Sequence, residues 1–166
     1  MNPSLLLPLQ FFLSLVAWSA LGFWVLAPRL ARWPREPAMA ILVLPQAFRH
    51  IGATLLVPGM TSPSLPPAFS STVVAGDLTT VALALLTLAA LRLRPALAPA
   101  AAWTLSVFGL ADLLLNLLRG LRMGVAPLLG PAWIVPAFIV PGMLVAHVLL
   151  IALLLGRLPG GRTVAG

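Results

Sequence analysis

Five apolar runs, each closed by Pro, Gly or Arg, decide what this chain can fold into. They cover approximately Pro8–Ala27, Ala38–Val57, Ser71–Leu91, Ala98–Leu118 and Ala132–Leu155. A helix rises about 1.5 Å per residue, so roughly 20 apolar residues cross a hydrocarbon core of about 30 Å. Within that core, each backbone N–H and C=O must find a partner in its own helix or in a closed barrel. Unbroken runs of this length, without strict alternation, predict helices. The expected fold is therefore all-α: a polytopic integral membrane protein, a bundle of five transmembrane helices forming one domain over residues 1–166. The first run continues through Leu21 to Leu26, so it is read as a permanent span and not as a removable leader.

Composition supports this reading. Charged residues are 8% of the chain and hydrophobic ones 61%. A soluble domain carries about 25% charge, and one-third of that cannot coat a globule in water. A soluble enzyme, a nucleic-acid-binding module and a disordered tail are all excluded. The net charge of +7 comes from ten Arg against Glu36, Asp77 and Asp112, with no Lys. These Arg residues sit between apolar runs and do not cluster with aromatics on one face, so they orient the chain in a bilayer and do not bind nucleic acid. With no cysteine, disulfides, thiolate nucleophiles and Cys-ligated metals are ruled out. The lack of Lys, Tyr and Cys beside abundant Ala, Leu, Pro, Gly and Arg points to a GC-rich bacterial genome, and hence to a bacterial inner membrane.

Orientation follows from the loop arginines. Arg29, Arg32, Arg35, Arg92, Arg94, Arg157 and Arg162 fall on one side of a five-span chain; Arg119 and Arg122 fall on the other. This places the N-terminus outside and the C-terminus in the cytoplasm. The outer segment from Gly59 to Ser70 should be an ordered or semi-stiff loop. In the second outer loop, the apolar stretch Val125–Leu129 should lie on the lipid headgroups.

Few polar residues lie inside the spans. A charge in the bilayer core costs about 2.5–3.5 kcal/mol on insertion scales, so each such residue faces the bundle interior, a partner or a pathway. In the second span, Gln46, Arg49 and His50 are spaced three and four apart and should share a helical face. Pro45 cannot donate to the Ile41 carbonyl and should disturb the helix there. In the third span, Asp77 leads a side continued by Thr80, Ala84 and Thr87, with Gly76 admitting a close neighbour. In the fourth, Leu105, Gly109, Asp112, Asn116 and Arg119 form a seam. The fifth carries His147 below Pro136, Pro141 and Gly142. Counting rise from the ends of the apolar runs puts Asp77 and Asp112 about 9 Å below the outer boundary and His50 about 10 Å below it. His147 comes out at about 17–22 Å. Arg49 should pair with Asp112 or Asp77.

Three functions fit these residues. The first is a binding or transport protein in which Gln46, Arg49, His50, Asp77, Asp112, Asn116, Arg119 and His147 receive or conduct a small polar solute or protons. The second is a structural or assembly subunit whose polar groups only join helices, its partner being another membrane protein or a second copy. The third is a membrane enzyme that uses metal or haem, with His50, His147, Asp77 and Asp112 as a nominal ligand set. No ligand-spacing motif supports the third, and the depths of its histidines disagree, so no catalytic residue, metal or cofactor is expected. The first reading is preferred over an enzyme.

Overall fold

The computed structural model describes residues 2–158; Arg162, counted above for orientation, lies outside the described residues. The chain is all-helical among those residues, with five helices long and apolar enough to cross a membrane: α1 Pro3–Leu30, α2 Arg35–Leu56, α3 Pro67–Leu93, α4 Pro95–Met123 and α5 Gly130–Leu154. Each contains most of one apolar run and extends beyond it. α1, for instance, begins at Pro3, where Asn2 accepts the Ser4 N–H and proline takes a first-turn position that needs no donor.

α3 packs against both α2 and α4, while α5 touches α4, α2 and α1. α1 is the outlying helix, with only 6% of its most apolar window buried. Two indoles pin it to α5. Trp18 donates to the Phe138 carbonyl at 3.1 Å, and Trp133 donates to the Gln10 side-chain oxygen. The α5 end of the first bond lies in a π-wound stretch, Val135–Ile139, which contains Pro136 and ends two residues before Pro141. Prolines there remove backbone donors, and the winding loosens around them.

α2 has the most unusual winding. It is α-helical from Arg35 to Val43 and 3-10 from Leu44 to Leu56. Pro45 stands at the start of the second part, where it cannot continue the α ladder. A 3-10 turn holds three residues, so side chains line up at every third position. The buried residues of this stretch follow that rule: Gln46, Arg49, Gly52 and Leu55. α3, which is α-helical throughout, buries Ser70, Val74, Asp77, Thr80, Ala84, Thr87 and Leu91, matching the side read from its sequence.

The bundle has two distinct ends. Arg29, Arg32, Arg35, Arg92, Arg94 and Arg157 mark one, where Arg35 donates to the Leu154 carbonyl and ties α2 to α5. At the other end the two long loops bond to each other: Ser62 N–H to the Leu128 carbonyl and Ala132 N–H to the Met60 carbonyl. Gly130, at φ +50°, lets the backbones meet there. Val125 and Leu129 are buried with Leu55, Leu65, Phe69, Val74 and Ala132. The Val125–Leu129 stretch is thus not a plain loop: two of its side chains are buried against the bundle and Pro127 is exposed. Val125 and Leu129 cap the bundle, because Leu65 and Phe69 offer them a buried contact.

Candidate functional site

The charged residues of three helices meet at one point inside the bundle. Arg49 is 4% exposed and its guanidinium is almost fully committed. Nε donates to Asp77 Oδ1 at 2.8 Å, and Nη2 lies 2.6 Å from the same oxygen. Nη2 also donates to Asp112 Oδ2 at 2.5 Å, and Nη1 donates to the Gly109 carbonyl at 3.0 Å. A planar fork of five N–H donors can serve several acceptors at once; an ammonium group cannot hold this geometry. Asn116, one turn along α4, donates to the second oxygen of Asp112 at 2.8 Å. Arg49 thus pairs with both aspartates, where the sequence had asked for one or the other.

Three glycines make room for these groups. A Cβ at Gly52 of α2 would overlap the Asp77 carboxyl, and one at Gly76 of α3 would overlap the Asp112 carboxyl. A Cβ at Gly109 of α4 would come within 2.7 Å of His147 Nε2. Each glycine removes the bulk at the point where the next helix delivers its polar side chain. Gly52 was not anticipated, because its role depends on the three-residue register of α2.

His50 does not join the group. It is exposed, its Nδ1 lies 3.0 Å from the Ala47 carbonyl of its own helix, and its ring leans towards Phe48. The expected shared face of Gln46, Arg49 and His50 assumed about 100° per residue. At about 120° per residue the 46-to-49 step stays on one row and residue 50 moves to the next. Gln46 is fully buried and donates to the Met143 carbonyl of α5 at 3.3 Å, one turn from His147. His147 is also fully buried, and among the described residues neither ring nitrogen has a hydrogen-bond partner; the same holds for Gln46 Oε1 and Ser106 Oγ. Arg119 is exposed, two turns beyond Asp112 towards the loop-capped end.

Position along the helices brings these groups together. Asp77 stands ten residues into α3 and Asp112 eleven residues before the end of α4, which is about 15–16 Å along each axis. Arg49 is seven residues from the end of α2, about 14 Å at the 3-10 rise. Measured from the helix ends on the loop-capped side, the three groups therefore stand at one level of the bundle. His147 abuts Gly109, only one α4 turn from Asp112, instead of lying far below it.

A cavity of about 250 Å³ lies between this cluster and the capping loops. All five helices contribute to its wall. Leu7, Ile51, Val73, Leu117 and Ile139 are representative of that wall, which is apolar except at Ser4, Arg49, Asp77 and Asn116. His50, Gln46, Asp112, Arg119 and His147 do not line it. The expected residues thus divide into a floor, a supporting carboxylate, a buried pair further towards the arginine-rich end, and two side chains on the outside. Among the described residues, no group of three or more His, Cys, Asp or Glu side chains is arranged to hold a metal ion.

A family model described as Domain of unknown function (DUF8737) matches residues 6–155. The chain belongs to this family. The DUF8737 match starts early in α1 and ends one residue past α5, so the ion cluster, its three glycines and most of the cavity wall fall within the family domain. No curated protein and no solved structure matches the chain.

Proposed function

We propose that this DUF8737 protein is a single transmembrane domain of the bacterial inner membrane that binds, and by that route transports, a small solute or protons. Its N-terminus faces outward and its C-terminus the cytoplasm. The observation that carries the reading is the cavity: about 250 Å³, lined by all five helices, ending on Arg49, Asp77 and Asn116. Ligand pockets are concave, mostly apolar and fitted with a few convergent polar groups, and run from about 300 to 1,000 Å³. This one has the same character and is slightly smaller than that range. Helix joining alone accounts for the Arg49 pairs but not for a chamber built above them.

Orientation rests on the loop arginines, with Arg29, Arg32, Arg35, Arg92, Arg94 and Arg157 at one end and Arg119 and Arg122 at the other. A reporter fused after Gly166 should be active only in its cytoplasmic form. Activity restricted to the exported form would reverse the orientation and with it the face on which the cavity opens.

Access is the test of the function. The chain has no cysteine, so single replacements report cleanly. Asn116→Cys should react with a polar thiol reagent supplied from outside, because residue 116 lines the cavity. Leu115→Cys should stay inert, because Leu115 is 52% exposed on the outside of the helix at a comparable depth, where lipid would cover it. Inertness at both positions in folded, correctly inserted protein would favour the assembly-subunit reading.

A further inference from the structure

The cavity's own chemistry narrows what it can hold. One guanidinium is shared by two carboxylates in the cluster. With both carboxylates ionised the cluster carries one excess negative charge. Arg119 lies seven residues from Asp112, about 10 Å along α4, and is exposed, so solvent and headgroups screen it. Glu36 and the remaining arginines sit at the helix ends. His147, next in line below Gly109, has no partner for either nitrogen among the described residues.

The exposure of the three side chains is unequal. The Arg49 side chain is 3% exposed, Asp77 10% and Asp112 12%. The guanidinium is thus hidden behind its acceptors. Asp77 Oδ1 takes both contacts from Arg49, which leaves Oδ2 beside Gly52, and Gly52 and Asp77 both line the cavity. A ligand entering the chamber therefore meets a carboxylate oxygen and the Asn116 amide at the floor, with Arg49 already engaged by its acceptors, and an apolar wall elsewhere except at Ser4. An anion would be repelled by Asp77 and would find Arg49 occupied. A strongly hydrated ion such as an alkali-metal ion would have too few oxygens to replace its water.

We propose that the cavity binds a small lipophilic organic cation: a protonated amine that donates to Asp77 Oδ2 and Asn116, on a compact apolar body that fills the wall. This rests on the binding function proposed above and names the class of its ligand. The bound ammonium makes the cluster neutral, two positive charges against two negative, and its apolar body replaces water at the wall.

Three probes of equal length and different charge decide the matter: hexylammonium, hexan-1-ol and hexanoate, added to the purified full chain in nanodiscs. Hexylammonium should raise the melting temperature saturably, and should protect Leu117→Cys from the thiol reagent. Hexanol and hexanoate should do neither at the same concentration. Asp77→Asn should weaken the hexylammonium response by about tenfold or more, since each 1.4 kcal/mol of a lost charged contact is one decade. Val73→Phe, which fills the wall without touching an ionic partner, should abolish the response and so covers the case in which Asp77→Asn does not fold. Equal responses to all three probes would show simple partitioning, and preference for hexanoate would mean that Arg49 governs the site; either overturns the proposal. If Asn116→Cys is labelled from outside while no cation preference is found, the ligand class fails and the binding function stands. If Asn116→Cys is inert, both fail.

Discussion

Arg49→Ala is expected to destabilise the protein by about 3–5 kcal/mol, read as a lowered melting temperature and reduced yield in membranes. The size follows from what is left behind. Asp77 and Asp112 would face each other across the space of the lost guanidinium, both largely buried and with no cation in contact. Removing one member of a buried ion pair costs more than the pair contributes, because the stranded charge keeps its desolvation penalty. Arg49→Lys should fall between, since an ammonium cannot reach Asp77, Asp112 and the Gly109 carbonyl in one plane. The combined change Arg49→Ala, Asp77→Asn and Asp112→Asn should regain most of the loss, because no unpaired charge remains. A single Arg49→Ala variant that melts like the parent would refute the claim that this cluster holds the bundle together.

Gly52→Ala and Gly76→Ala should each cost about 1–3 kcal/mol, the usual penalty for forcing a methyl group into a packed site. Here the added carbon would meet a carboxyl and not a yielding hydrocarbon. At Gly52 it would displace Asp77, and at Gly76 Asp112. Each shift also lengthens a bond to Arg49, so the loss should carry over into the labelling of Asn116→Cys. The matched comparison is Gly120→Ala, whose Cβ would sit 3.4 Å from Val125 and 3.5 Å from Phe69. That change should be neutral or favourable, as alanine exceeds glycine by about 1 kcal/mol inside a helix. Equal melting temperatures for all three variants would count against the close helix approach at the cluster.

Whatever obeys an α-helical period could be read from the chain before folding. The five spans follow from runs of apolar residues long enough for a bilayer. The buried side of α3, from Asp77 through Thr80, Ala84 and Thr87, follows from steps of three and four. Asp112 and Asn116, four apart on α4, do bond. The reading went astray where the period changed. Pro45 marks a disturbance, but not that the thirteen residues from Leu44 to Leu56 wind as a 3-10 helix, so the α-helical period puts His50 on a face it does not share. Spacings of three from Gln46 to Arg49 to Gly52 to Leu55 held the signal. The cap formed by Val125 and Leu129 was hidden for another reason: it depends on Leu65 and Phe69, some sixty residues away, and no local pattern encodes such a contact.

The change of winding in α2 also sets how tall that helix stands. Nine α-helical residues and thirteen 3-10 residues reach about 40 Å. The 27 residues of α3 reach about the same length at the α-helical rise. Wound as a plain α-helix, the 22 residues of α2 would stop about 7 Å short. The loops at its two ends would then have to stretch to cover the difference, or α2 would have to slide and carry Arg49 off the level of one aspartate. The proline therefore does more than interrupt a helix. By drawing the chain out, it brings a shorter segment level with a longer neighbour, and so delivers one guanidinium to two carboxylates from different helices.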